Sequence, residues 1–124
     1  MDWTELEIFK GIDLNDSLIL GWQAEGQRLS FDIELSVWPA SEYYENPKEG
    51  EYTCYRRAML VFDHIEKCSG LLSMDGAPRS TDASGEIDYG NIDRLVVVGN
   101  RYIVEGDFGQ VEVQGGEFRL EFNT

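Results

Sequence analysis

The chain has 124 residues, with 24 Asp and Glu against 10 Lys and Arg, and a formal net charge of −14. Such a field repels polyanions, and nucleic-acid binding needs Lys and Arg to displace phosphate counterions, so DNA, RNA and anionic membrane surfaces are excluded as expected partners. With 42% hydrophobic and 27% charged residues, 13 Gly and 3 Pro, the composition is that of an ordered chain rather than a low-complexity one, and a single domain over residues 1–124 is expected, burying roughly 65% of its unfolded surface.

The opening residues carry Asp2, Glu5 and Glu7 and have no basic stretch followed by an apolar run, so no secretory signal is legible. No uncharged apolar stretch approaches the roughly 18 residues needed to cross a bilayer. A cytoplasmic location is expected, with Cys54 and Cys68 as reduced thiols; a single bridge between them is the alternative.

The first predicted strand is Ser17 to Ala24, through Leu18, Leu20 and Trp22, joined by a turn at Glu25-Gly26-Gln27 to a second at Arg28 to Val37. In the second, Leu29, Phe31, Ile33, Leu35 and Val37 alternate with Ser30, Asp32, Glu34 and Ser36. Period two gives one wet face and one dry face. Each buried member of the row contributes about 1.5–3 kcal/mol relative to exposure, and a slip of one residue would bury Asp32 and Glu34 instead. Trp38-Pro39 ends the strand, because proline cannot donate to a ladder.

The run Ala58 to Phe62, continuing toward Ile65, reads as a buried strand, although its periodicity alone also fits a short helix. Residues 74–91, with Asp75-Gly76-Ala77-Pro78 and Asp82-Ala83-Ser84-Gly85, read as a long polar loop. Two further hairpins are predicted. One joins Leu95–Val98 to Tyr102–Glu105 across Gly99-Asn100-Arg101, and the other joins Gln110–Val113 to Phe118–Phe122 across residues 114–117. No helical periodicity is long enough for the crossovers of a parallel sheet. The expected class is therefore all-β, an antiparallel sandwich or partly open barrel with a C-terminal β-meander and little helix.

Catalytic and metal signatures are sparse. His64, the single histidine, follows Asp63, but neighbours on a strand point to opposite faces, so the pair is not a catalytic dyad by sequence. His64, Cys54 and Cys68 supply too few imidazole and thiolate ligands for a zinc site of ordinary design. Asp82, Ser84, Glu86, Asp88 and Asp93 alternate like the ligands of a calcium loop, yet Ile87 stands where that loop needs glycine and Asp93 where it uses Glu. No metal and no cofactor is expected. Asp107-Phe108-Gly109 has none of the companion kinase motifs and reads as a turn. With so many carboxylates, some pair will fall by chance at the roughly 5–10 Å that glycoside hydrolysis uses, so spacing alone assigns no such activity.

The segment from Trp38 to Arg57 stands out instead. It holds Trp38, Tyr43, Tyr44, Tyr52, Tyr55, Arg56 and Arg57, with Glu42, Glu45, Glu49 and Glu51 interleaved. Those seven residues are of the types enriched at binding hot spots, and they are the expected binding residues. The competing reading is an aromatic lid over one end of the core.

The succession Asn15-Asp16-Ser17-Leu18-Ile19-Leu20-Gly21-Trp22, then Leu29 to Leu35, then Ala58-Met59-Leu60-Val61-Phe62 resembles small bacterial all-β proteins of the toxin-immunity-like or uncharacterised kind. It spans the first half of the chain, and Asn15 stands where such sequences would carry histidine. The resemblance implies a protein that neutralises a toxin by binding, with no catalytic residues. The functional expectation is thus a non-enzymatic interaction protein with a basic partner. Two alternatives stand beside it: a small-ligand site lined by Trp22, Trp38 and the tyrosines, and a carboxylate-dependent hydrolase using residues such as Asp75, Asp82, Glu86 or Asp88.

Overall fold

The computed structural model describes residues 1–122. Two 3-10 turns, Trp3–Glu5 and Glu7–Phe9, precede ten strands: β1 (Ile12–Glu25), β2 (Arg28–Val37), β3 (Cys54–Asp63), β4 (Lys67–Leu71), β5 (Ser80–Thr81), β6 (Ile87–Asp88), β7 (Ile92–Val98), β8 (Arg101–Gly106), β9 (Gly109–Gln114) and β10 (Glu117–Phe122). They form two four-stranded antiparallel sheets, ordered β1-β2-β3-β10 and β4-β9-β8-β7, and a small β5-β6 ribbon. Neither large sheet closes into a barrel; together they enclose one apolar core.

β2 organises that core. Leu29, Phe31, Ile33, Leu35 and Val37 are fully buried, and the strand begins and ends where its alternation does. Phe31 reaches across to Phe108, 4.8 Å between ring centroids, and Phe62 of β3 reaches Tyr102 of β8 at 5.4 Å. Asp107-Phe108 is the turn between β8 and β9, with its phenylalanine inserted into the interior and Gly109 opening β9.

β1 is longer and less regular than its sequence pattern implies. It begins at Ile12, and its register against β2 shifts between Asp13 and Leu18 and again between Ile19 and Gly21. These bulges change which residues point inward: Ile19 is fully buried, whereas Leu18, expected inside, is 38% exposed. Trp22 does turn toward the core, packing against Phe31, Tyr89 and Phe108. Ser17 holds the first bulge together. Its hydroxyl donates to the Asp13 carbonyl at 2.6 Å and accepts the buried Ser36 N–H at 3.0 Å. Ser17→Ala removes the acceptor and strands that N–H, so a loss of about 1–3 kcal/mol is expected in urea unfolding; an unchanged midpoint would show that the bulge does not depend on this bond.

β3 extends back to Cys54, so Tyr55, Arg56 and Arg57 are strand residues, and the alternative of a short helix is not realised. β4 has too little apolar character to be read from the sequence. The segment 74–91 is largely exposed, but it carries β5 and β6 and anchors Ala77 and Tyr89 in the core.

The final predicted hairpin is a correction. Strands β7, β8 and β9 form a meander, but β10 does not fold back on β9; it crosses to the other sheet and pairs with β3, Glu117 opposite Asp63 through Phe122 opposite Ala58. The crossing is made at Gly115 and Gly116, with φ of 79° and 77°, a backbone region that non-glycine residues enter at a cost. Gly116 passes so close to β3 that a Cβ on it would lie 2.2 Å from the Asp63 carbonyl oxygen. A Gly-containing stretch between two apolar strands looks like a hairpin turn in sequence; here it is a bridge between sheets.

Candidate functional site

Register places the predicted binding residues on different faces. β2 residues with odd numbers face the core, so their even-numbered neighbours and the residues opposite them face outward. Asp13, Ser36 and Tyr55 lie in one outward row across β1, β2 and β3, and Glu34 and Arg57 form part of the next. Arg56 lies opposite Leu35 and leaves β3 on the core side.

The outward group forms a cluster. The β1 bulge brings Asp16 to the tyrosines, and both the Tyr52 and the Tyr55 hydroxyl donate to its Oδ2, the latter at 3.0 Å. Trp38 Nε1 donates to Ser36 Oγ at 3.1 Å. The Trp38 and Tyr52 rings meet edge to face at 6.3 Å, and Tyr52 and Tyr55 do so at 5.8 Å. The bond to Asp16 raises the Tyr52 phenol above its ordinary pKa, and burial, reinforced by the same hydrogen-bond network, raises Tyr55 further. Both hydroxyls therefore stay protonated at neutral pH and remain donors. Even so, Tyr52 is 68% exposed and Trp38 40% exposed. Large rings held in place by hydrogen bonds while open to solvent lose little freedom on binding, which is why such side chains suit recognition.

Tyr43, Tyr44 and Arg56 do something else. Tyr43 stacks on Phe122 of β10 at 3.9 Å, with the Arg56 guanidinium 5.1 Å from the centroid of the same ring. Arg56 Nη1 donates to the Tyr43 carbonyl at 3.1 Å, and Tyr44 packs on the core cluster. These three form the lid over the core, whereas Trp38, Tyr52 and Tyr55 form the open surface. Arg57 pairs with Glu86 at 2.8 Å and bounds that surface.

Beside the cluster runs a groove of about 610 Å³ whose lining includes Glu34, Glu45, Glu51, Lys48, Arg56 and Arg57, with Arg56 3.7 Å from Glu45. Burial and the nearby Glu86 raise the Glu34 carboxyl above the usual range, with Arg57 opposing. The charges are balanced, and the groove brings no imidazole beside a nucleophile.

His64, Asp82 and Asp88 are accounted for locally. His64 is exposed at the turn after β3 with φ 56°, and its backbone N–H, not its ring, contacts Asp63 Oδ1 at 3.0 Å. Asp82 Oδ1 accepts from Ser84 N, Ser84 Oγ and Glu86 N at 2.7–2.9 Å, which closes the β5-β6 turn and holds the carboxyl below its usual pKa range. Asp88 accepts from Gly90 N at 3.0 Å. Among the described residues no three His, Cys, Asp or Glu side chains gather as a metal-ligating group, and Cys54 and Cys68 are not bridged. No helix among those residues is long and apolar enough to cross a membrane.

Asp16, the acceptor on which the cluster converges, was not among the sequence candidates. The signal for it is the polar run Asn15-Asp16-Ser17, which breaks strand alternation and marks a bulge that redirects side chains. The chain matches no known protein family, no curated protein and no solved structure.

Proposed function

We propose that the protein acts by binding rather than catalysis, and that Trp38, Tyr52, Tyr55 and Asp16 receive a basic segment of another protein, as an immunity-like protein receives a toxin. The observation that carries this reading is the exposure of Trp38 and Tyr52, in the connection between β2 and β3, beside the Asp16 carboxylate that Tyr52 bonds. Indole and phenol faces attract guanidinium and ammonium groups, and the carboxylate supplies the counter-charge. The net charge of −14 adds long-range attraction that speeds encounter with a cationic partner. The ligand-pocket alternative draws less support, since Trp22 is packed among Phe31, Tyr89 and Phe108 on the opposite side of the sheet from Trp38.

The test separates the face from the general field. A partner captured from the native host at low and moderate salt is titrated against wild type and against Trp38→Ala/Tyr52→Ala, which leaves the net charge unchanged. The double variant is expected to bind about 30-fold or more weakly, as loss of a hot spot does. Equal binding by both proteins, or capture of no protein partner at either salt, would overturn the proposal.

A further inference from the structure

Two four-stranded sheets have four edges, and three of these are blunted. β1 carries two register shifts, and at its middle Ile19 exchanges hydrogen bonds with residues 89 and 90, its N–H to the Gly90 carbonyl at 2.7 Å and its carbonyl from Tyr89 N at 2.8 Å. β7 is met by the start of the chain: Val97 N donates to the Met1 carbonyl at 2.8 Å, and the Met1 ammonium donates to the Val97 carbonyl at 2.7 Å. β4 is bent by a bulge between Ser69 and Leu71. Coverage and bulges are the devices by which sheet edges avoid pairing with other chains.

Among the residues described, β10 has neither a bulge nor a backbone partner on its outer edge; Tyr43 and Phe9 meet it only through the rings of Phe122 and Phe118. Its six residues pair with β3 in unbroken register, without bulge or proline. Among the described residues no strand pairs with its second edge, and no backbone group of the strand bonds outside the β3 ladder. The sequence Glu117-Phe118-Arg119-Leu120-Glu121-Phe122 alternates charge and hydrophobe.

We propose that this edge pairs with the same strand of a second copy, antiparallel, about a two-fold axis at Leu120, so that the two β1-β2-β3-β10 sheets join into one. Charge and overlap together select that register: an axis at Phe118 would also set Glu117 against Arg119 but would join only three residues of the strand, whereas an axis at Leu120 joins five. Residues opposite each other on antiparallel strands share a face, so the two positions in each pair must have the same parity. An axis at Arg119 would set Arg119 against its own copy and Glu117 against Glu121, and like charges directly opposite are unfavourable. An axis at Leu120 sets Arg119 against Glu121 twice, Leu120 against Leu120, and Phe118 against Phe122 twice. Arg119 already lies 2.7 Å from its own Glu121 and 3.1 Å from Asp63, so the pairing creates an alternating charge cluster on the outer face above a continued apolar row. The closed two-fold contact consumes both edges and ends growth at the dimer. A six-residue edge is a small interface, so the dimer is weak and concentration-dependent.

Sedimentation velocity of the full chain at about 0.15 M ionic strength, where the screening length is about 8 Å, is expected to show dimer growing in as the protein is raised toward about 1 mM. Arg119→Glu and Glu121→Arg should each return it to monomer, and the double exchange should restore the dimer. Circular dichroism confirms that each variant is folded. Register is read independently in a Cys68→Ser background. Leu120→Cys should oxidise to a covalent dimer, because its copy lies directly opposite, whereas Phe122→Cys should not, because its copy lies several residues away, beyond disulfide reach. Monomer throughout the concentration series, failure of the double exchange to restore association, or equal cross-linking at positions 120 and 122 would each overturn the proposal.

Discussion

Replacing Phe31 with alanine is expected to remove about 3–5 kcal/mol of stability, a large share of the roughly 5–15 kcal/mol available to a domain of this size. The residue is fully buried at the centre of the layer between the sheets, with its ring 4.8 Å from Phe108, 6.4 Å from Phe62 and 6.5 Å from Trp22. Each of those rings would lose a contact surface at once. The void lies where strands of both sheets meet, so neither can move into it without disturbing its own ladder. Urea unfolding at constant slope measures the effect through the midpoint. A loss below about 1 kcal/mol would mean that the interior repacks freely, contrary to the tight aromatic layer described above.

Gly116→Ala is the second large effect, and its cause is different. The residue has φ 77°, and an added methyl would meet the Asp63 carbonyl oxygen at 2.2 Å and His64 backbone atoms at 2.9 Å. Backbone atoms on this side cannot swing away as a flexible side chain would. A loss of at least about 2 kcal/mol is expected, combining left-handed strain with displacement of β10. Gly26 supplies the comparison. It has φ 60° with nothing within 4 Å of the position of a Cβ, so Gly26→Ala should cost only about 1 kcal/mol, from conformation alone. If both variants lose the same amount in thermal unfolding, the close approach at Gly116 is not what matters.

The two substitutions mark what the sequence discloses and what it does not. Phe31 belongs to a strict alternation from Leu29 to Val37. That pattern is a direct record of one dry face, so strand, boundaries and buried residues could all be read from it. Phe118, Leu120 and Phe122 alternate just as well, but alternation records which face is dry and is silent about which neighbour the strand pairs with. The pairing of β10 with β3 was accordingly invisible, and the two glycines that direct it read as an ordinary turn. β1 failed in a third way: its bulges shift the phase between Asp13 and Gly21, so a fixed period assigned Leu18 to the wrong side. The candidate site followed the same division. Trp38, Tyr52 and Tyr55 can be named from residue type alone. Asp16 cannot, because it is 36 and 39 residues from the tyrosines that bond to it, and only the folded sheet brings them together. Arg56 and Arg57, adjacent in sequence, part company because β3 sends successive side chains to opposite faces.

The union of β10 with β3 also dictates an order of assembly. The meander of β7, β8 and β9 joins neighbours through short turns and can form as soon as those residues are free. The sheet begun by β1 and β2 is incomplete until Glu117 finds Asp63, which requires closing a loop over all of residues 64–116 and bearing its entropy first. On the ribosome, where the chain emerges from its first residue onward, the outer edge of β3 would stay open until nearly all of the chain described here has been synthesised. A nascent chain therefore presents the β10-facing edge of β3 unpaired until β10 has been made.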